Sequence, residues 1–403
     1  MSLFEPDIPD LTAVFTTIAV FPADVCLALV AVGGLVPLLI HPCRRAWCLR
    51  GLALGVSAVP VASLLSMWQA SEPLLAAAVA AQLALLGLAW FGAAIGGVSA
   101  RWLALGIVAS GSAQAALAIG QFVSQRPLVP VALDLPWLPS ADVTLSGAPV
   151  VLDPAGDRLL RAFGTFPHPN ILGGYLALAL VLLPVLNARR WLVWPLGVLL
   201  GGGLLVSFSR AAWLATALGV AMLLMRPNPR GVALRWLVAG FGVAILALAL
   251  SPLGVLVSGR LAPQPANDLE RGSIEQRLAL DRLALVEIRR HPLLGVGAGN
   301  FGLATLEEGL QSVFGEPAHS VPLLVVAELG LPGAAAGLLL VGAIADLARR
   351  DPIATRPALA ACVTIGVLML LDHYTWTMPP GRVLAWVPLA VLAAARTRMA
   401  PFA

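Results

Sequence analysis

The 403-residue chain contains no lysine: its 25 basic residues are all arginine, set against 21 acids for a net charge of +4. Charge of either sign is scarce, at 11% of residues, where a soluble domain carries about 25%. So few charges cannot cover a water-facing surface, which excludes an ordinary soluble protein. With 59% hydrophobic residues, the chain reads as a polytopic membrane protein. Missing lysine agrees with a GC-rich coding sequence and does not by itself indicate function. It still means that any cationic side chain meeting a ligand here is a planar fork, able to grip a phosphate through two hydrogen bonds.

Other absences narrow the chemistry. Only four cysteines occur, Cys26, Cys43, Cys48 and Cys362, in or beside hydrophobic runs. None forms a CxxC pair, which speaks against a disulfide framework or a structural zinc site. There is no GxSxG, HExxH or Walker sequence, and no Asp-x-Asp of the kind that clamps a metal and nucleotide sugar. The histidines lack zinc spacing, so no metal ligands are expected. The run Gly295–Gly299 follows no strand and opens no helix through a GxxG, so it is not a dinucleotide fingerprint. No basic patch for nucleic acid, no repeat and no attached soluble domain is evident. The first ten residues hold Glu5, Asp7 and Asp10 and no cation, unlike a secretory leader, so no cleaved signal peptide is expected.

What is present is a series of Ala/Leu/Val/Gly runs near the ~20 residues a span needs. They fall at about 21–40, 51–69, 74–98, 102–123, 171–188, 191–207, 211–225, 236–258, 321–345, 357–373 and 382–396. The fold class expected is an all-α polytopic membrane protein with about eleven transmembrane helices. Segment 11–20, interrupted by Pro22 and Asp24, would make twelve and reverse the N-terminus. Arginines of the short loops fix the orientation. Arg44, Arg45 and Arg50, then Arg101, Arg189 and Arg190, then Arg226, Arg230 and Arg235, then Arg349, Arg350 and Arg356, and finally Arg396 and Arg398 can all lie in the cytoplasm in one alternation. The expectation is one integral membrane domain, 1–403, with external loops at 124–170 and 259–320.

The second loop concentrates the ionisable groups. It holds Arg271, Arg277, Arg282, Arg289, Arg290, His291, Glu316 and His319 between hydrophobic spans. Ser273–Arg290 lacks Gly and Pro, and Ile274, Leu278, Leu285 and Ile288 recur at helical spacing. This predicts a helix lying along the membrane surface with its apolar side down, stopped by Pro292 and the glycine run. Arg277 and Asp281 are four apart and share a face, as a simple surface ion pair would. His319 stands just before a span and can titrate near neutral pH as a base; it can equally be a helix-start residue. Glu316 has the same two readings, since acids favour helix N-termini. Ser209-Arg210 sits at a span boundary, where an arginine is costly unless used or snorkelled to headgroups. His168, between two prolines, shapes a turn.

The ordered motifs have a family likeness. Gly164-Thr165-Phe166-Pro167-His168-Pro169-Asn170, Ser209-Arg210-Ala211-Ala212-Trp213-Leu214, Arg277 through His291-Pro292-Leu293-Leu294-Gly295-Val296-Gly297, His319-Ser320 and Glu328-Leu329-Gly330 together resemble the O-antigen ligase (WaaL) and Wzy-type polymerase superfamily. The likeness covers roughly 160–380. It implies a metal-independent glycosyltransferase of lipopolysaccharide biosynthesis, without cofactor, on the external or periplasmic face of the plasma (inner) membrane. The donor implied is a glycan on a polyprenyl (undecaprenyl) diphosphate; the acceptor is a glycan or a lipid A-core-like molecule. Arg210, Arg277 and His319 fall on the family's motif residues. Asp372-His373-Tyr374 and Trp376 resemble its late acidic and aromatic cluster. Two departures stand out: His319-Ser320 where the family often has His-Asn, and Asp281 where it often has Trp.

The mechanism implied is inverting transfer. Arg210 and Arg277 bind the donor diphosphate and neutralise the charge that builds as it leaves. His319 takes the acceptor's proton, with Glu316 orienting it. A Wzy-like polymerase and a protein oligosaccharyltransferase share these parts. A lipid-linked glycan flippase is the reading of another class. Transporters place ionisable residues mid-span, and Asp24, Glu328 and Asp372 are the residues here that fit that pattern.

Overall fold

The computed structural model describes residues 2–4, 18–19, 49–128, 143–144, 148–153, 156–225, 268–307, 309 and 316–397. In chain order its helices are α1 (Arg50–Ser66, continued by a 3-10 turn at Met67–Gln69), α2 (Pro73–Ile95), α3 (Ala100–Ser124), α4 (Pro169–Leu182, continued by a 3-10 turn at Leu183–Leu186), α5 (Arg190–Val206), α6 (Arg210–Leu224), α7 (Asp268–Arg290), α8 (Phe301–Glu307), α9 (Val321–Arg350), α10 (Arg356–Leu371), α11 (Tyr374–Thr377) and α12 (Pro379–Thr397). Two short antiparallel pairs accompany them: β1 (Ser2–Phe4) with β2 (Ile18–Ala19), and β3 (Val150–Leu152) with β4 (Arg158–Leu160).

The structure is mostly helical, in keeping with the polytopic membrane protein expected. Among the described residues, five stretches are long and apolar enough to cross a bilayer: Arg50–Gln69, Pro73–Ile95, Ala100–Ser124, Pro169–Leu186 and Val321–Arg350. Four more apolar helices, Trp191–Val206, Arg210–Leu224, Arg356–Leu371 and Pro379–Ala395, are shorter. At ~1.5 Å per residue these reach less than the ~30 Å hydrocarbon thickness. Each expected span between 51 and 225, or after 320, thus has a helix at its place, but eleven crossings are not established. The expected spans at 21–40 and 236–258 lie outside the described residues, as do segment 11–17, Asp24, Cys26, Cys43, Cys48 and the arginines at 44, 45, 226, 230, 235 and 260.

The chain forms two compact units. The first comprises residues 1–99, 272–355 and 369–403; the second comprises 100–271 and 356–368. Between helices in lipid there is little hydrophobic driving force, and close van der Waals packing takes over. The glycine- and alanine-rich spans meet that need in both units. In the first, a Cβ on Gly55 of α1 would lie 2.9 Å from the Leu340 Cα of α9. In the second, a Cβ on Gly203 of α5 would lie 2.7 Å from the Ala115 Cα of α3. α4 is the buried centre of the second unit, with Leu172, Leu176, Leu178, Leu180 and Leu182 all sealed from solvent.

The core of the first unit joins Val79, Leu83 and Leu86 of α2 to Phe301, Val321, Leu324, Leu329 and Trp376. Its central helix, α9, is broken. Gly330 has φ 61° and ψ −149°, with Pro332 two residues on, so the carbonyls before the break lose their helical partners. The loop after α7 supplies replacements. Val296 N–H donates to the Ala327 carbonyl at 3.0 Å and Gly297 N–H to the Glu328 carbonyl at 2.9 Å. In return Leu331 N–H donates to the Pro292 carbonyl at 3.0 Å. Backbone is therefore satisfied at a depth where an unmade bond costs several kcal/mol.

Close approach explains the glycine run. A Cβ on Gly295, whose φ is +70°, would lie 2.3 Å from the Glu328 carbonyl carbon. Gly295→Ala is expected to cost at least the ~1–3 kcal/mol of a strained left-handed residue, plus the clash. Gly337→Ala, with open space around it, should be neutral. Thermal unfolding of the detergent-solubilised protein should show a lowered Tm for the first variant and not the second.

Candidate functional site

Helix α7 presents three stripes, as its 3.6-residue turn requires. Leu280, Ala284 and Glu287 form the buried one. Ile274, Leu278 and Leu285 form a second, which is exposed. Arg277, Asp281 and Ile288 lie between them, with Arg277 half-buried. The helix expected at 273–290 is present and starts earlier, at Asp268. Its apolar residues divide between two faces: Ile288 packs on the core while Ile274, Leu278 and Leu285 point outward.

Asp281 proves to be more than a surface partner for Arg277. Its carboxylate accepts from the backbone N–H groups of His319 and Ser320, with the Arg277 charge close by. Burial raises its pKa above the ordinary carboxylate value, opposed by those hydrogen bonds and by Arg277. Asp281 therefore moors the residues just ahead of α9 to the arginine-bearing helix. The sequence signal was the four-residue spacing; the N–H partners lie about forty positions away in the chain and leave no local trace.

Glu316 is half-buried, and that burial raises its carboxyl pKa. Its Oε2 accepts from Gln276 Nε2 at 2.6 Å, tying the approach to His319 to the start of α7. His319 itself is half-buried, with Ala318 fully buried behind it. Its ring meets that of His373 edge-on, with centroids 4.9 Å apart.

His373 and Asp372 follow the last turn of α10 and are the residues that sequence reasoning underused. Asp372 is 4% exposed. Its Oδ1 accepts from the His373 backbone N–H at 2.8 Å and lies 4.0 Å from His373 Nε2. Both Asp372 and Arg277 lie within electrostatic reach of the His373 ring. Arg277 and His319 thus share Asp281 and His373 as neighbours. A signal was available: two titratable residues side by side at the end of an apolar run. Donor atoms of His319, Asp372 and His373 all lie within 4.8 Å of one another. They are the group, among the described residues, that could gather a metal ion, where the sequence alone suggested none.

Below this cluster, the broken α9 holds Glu328, which is 2% exposed. Its Oε2 accepts from Trp376 Nε1 at 2.7 Å and from Gly299 N–H at 2.8 Å. Arg382 adds a clamp, donating to the Trp376 and Thr377 carbonyls and to Gln82 Oε1. The short turn carrying His373 is thus pinned to α9 and α2.

Arg210 belongs to the second unit and opens α6. Ser209 caps that helix, its Oγ accepting from Ala212 N–H at 3.4 Å, as an N-cap serine does. Phe208 is buried at φ +50°, a strained conformation that turns the chain sharply between α5 and α6. Arg161 braces the turn from outside, its Nε donating to the Ser207 carbonyl at 3.1 Å and its Nη2 to Asn170 Oδ1 at 2.9 Å. His168 caps α4, with Nδ1 accepting from Asn170 N–H at 3.1 Å, which is the turn-shaping role expected of it. The 164–170 motif thus supports the Ser207–Arg210 corner, from which the Arg210 side chain stands exposed.

Residues 195–338 match the family model described as O-antigen ligase (Wzy_C). The stretch contains Arg210, Arg277, Glu316, His319 and Glu328, and the resemblance read from the ordered motifs holds there. No curated protein matches the chain.

Asp281→Ala removes the acceptor for two backbone donors, a loss on the order of 1 kcal/mol. Hydrogen exchange of the His319 and Ser320 amides should quicken severalfold, while the α9 amides beyond Gly333 keep their protection. Unchanged exchange at 319–320 would mean that another group holds this turn.

Proposed function

We propose that the chain is a membrane enzyme of the O-antigen ligase and polymerase family, which residues 195–338 match, and that it transfers a glycan from a polyprenyl-diphosphate donor to a sugar hydroxyl of the acceptor, with inversion. The observation that carries this reading is that Asp281, beside Arg277 on α7, bonds the backbone at His319, whose ring meets that of His373.

The roles follow from the chemistry. The anomeric carbon to phosphate oxygen bond breaks, and the electron pair leaves with the diphosphate. Guanidiniums suit that leaving group, because each can give two parallel N–H bonds to phosphate oxygens. Arg277 provides one, and the resemblance implies the same role for Arg210. They supply the charge that a nucleotide-sugar enzyme takes from a metal, so turnover needs none. His319 takes the acceptor hydroxyl's proton as the new bond to the anomeric carbon forms. Glu316 and Asp281 hold the 316–320 turn in place for that step. In this reading the site faces the periplasmic side of the plasma membrane. The exposed stripe Ile274, Leu278 and Leu285 rests on lipid, the acceptor is a lipid A-core-like glycan, and the polyprenyl chain lies along the small-residue spans.

Purified protein in detergent, incubated with polyprenyl-diphosphate glycan and candidate acceptors, tests this by mass analysis of products. Arg210→Ala and Arg277→Ala should each lower turnover by about 10²–10³-fold, the usual effect of losing one donor to a developing anion. His319→Ala should lower kcat by about 10²–10⁴-fold while the donor still binds. Wild-type turnover in any of the three removes that residue from the mechanism. A chelator that stops the reaction removes its metal-free character.

A further inference from the structure

We infer that His319, Asp372 and His373 form a binding site for one divalent cation of the zinc class. Two imidazoles and one carboxylate are the donor set that borderline-soft divalent ions prefer, and here their donor atoms lie within 4.8 Å of one another. Donors on a tetrahedral ion with bonds near 2.1 Å stand about 3.4 Å apart. Closing the gap takes about an ångström of movement, and His319, half-buried at a turn, can supply it by rotating its ring.

The orientation of His373 is the second observation. Its Nδ1 lies 2.7 Å from Thr377 Oγ1, and the Thr377 hydroxyl donates to the His373 carbonyl at 3.3 Å. Thr377 Oγ1 is therefore the acceptor for Nδ1–H. That assignment of the tautomer leaves the lone pair on Nε2, the nitrogen that faces Asp372 Oδ1 at 4.0 Å. Metal-binding histidines characteristically give their other N–H to such an outer partner. The outer partner is itself fixed, since Arg382 donates to the Thr377 carbonyl at 3.2 Å. Arg277 opposes a cation here and Asp281 favours one, so the site is weaker than a closed structural zinc site. Three protein donors leave a fourth position for water on the more open His319 side.

Occupation of the site takes the His319 lone pair. The cation is then a reversible inhibitor of the glycosyl transfer proposed above. That consequence rests on the base role of His319, whereas the site itself does not.

The test uses the full chain in detergent, stripped with EDTA and desalted. Co²⁺ titration followed by its tetrahedral absorption, then Zn²⁺ displacement by calorimetry, should give one equivalent per chain. Thr377→Val should weaken Zn²⁺ by about 10–100-fold, the usual effect of losing an outer partner, and Thr377→Ser should restore it, which separates the hydrogen bond from misfolding. His373→Ala should abolish saturable binding, while His291→Ala, outside the group, should leave it intact. Failure to saturate at one equivalent, or equal affinity in wild type, His373→Ala and Thr377→Val, overturns the site. In the transfer assay Zn²⁺ should silence the wild type and EDTA should restore it. Binding without inhibition leaves the site standing and removes His319 as the base. Turnover that needs the ion leaves the site standing and removes the metal-free mechanism.

Discussion

The break in α9 at Gly330 is the constraint on which the first unit depends. A span interrupted at a glycine with φ +61° has backbone groups that lipid cannot satisfy. They are satisfied by the 292–300 loop, which bonds to the carbonyls of Ala327 and Glu328 and receives Leu331 N–H in return. This exchange places the end of α7 beside the middle of α9. It thereby fixes the helix that carries Arg277 relative to the turn that carries His319. The same loop reaches the other way, with Ala298 N–H bonded to Ser66 Oγ at 3.0 Å and Asn300 Oδ1 accepting from Glu72 N–H at 2.8 Å. The glycines of the run are small because backbone passes backbone there, as the Gly295 and Glu328 contact shows.

Glu328 belongs to this arrangement. A buried carboxylate in a span invites a transport reading, since intramembrane acids often line ion paths. Here one of its oxygens accepts from both the loop and the Trp376 indole. Those bonds join three separate stretches of chain, 299, 328 and 376, into one structure. Cross-linking is an adequate reason for the acid to be where it is. The half-buried ionisable groups Arg277, Asp281, Glu316 and His319 gather instead along α7 and just ahead of α9.

The sequence made the helices legible because apolar runs of span length leave little choice of structure. It also made Arg277, His319 and Glu316 legible as candidates, because polar residues are conspicuous in such a chain. It did not reveal the break in α9, although Gly330-Leu331-Pro332 was its signal. A predominantly apolar stretch, 321–345, outweighs two punctuating residues when only hydropathy is read. Nor did it reveal what Asp281 binds. An acid four residues from an arginine on a helix has an obvious local partner, and the backbone donors that it also bonds come from a turn that only the tertiary fold brings near. His373 was noticed only as part of a family-like cluster, and its role was not legible, for a related reason. Its importance lies in facing His319, and nothing in the order of residues at 372–376 says which earlier segment that turn will meet.

The departure at position 281 can be argued further. The family often has an indole there, a large flat surface; this chain has a carboxylate bonded to the backbone at 319–320. An aspartate fills much less space, so the floor between α7 and the His319 turn is more open and more polar than an indole would leave it. Residue 320 changes in the same corner, where serine replaces an amide side chain, shortening the polar reach beside the histidine. Both changes border His319, and position 281 also lies beside Arg277. In the transfer proposed above, the surroundings of His319 are where this chain departs from the pattern that it resembles.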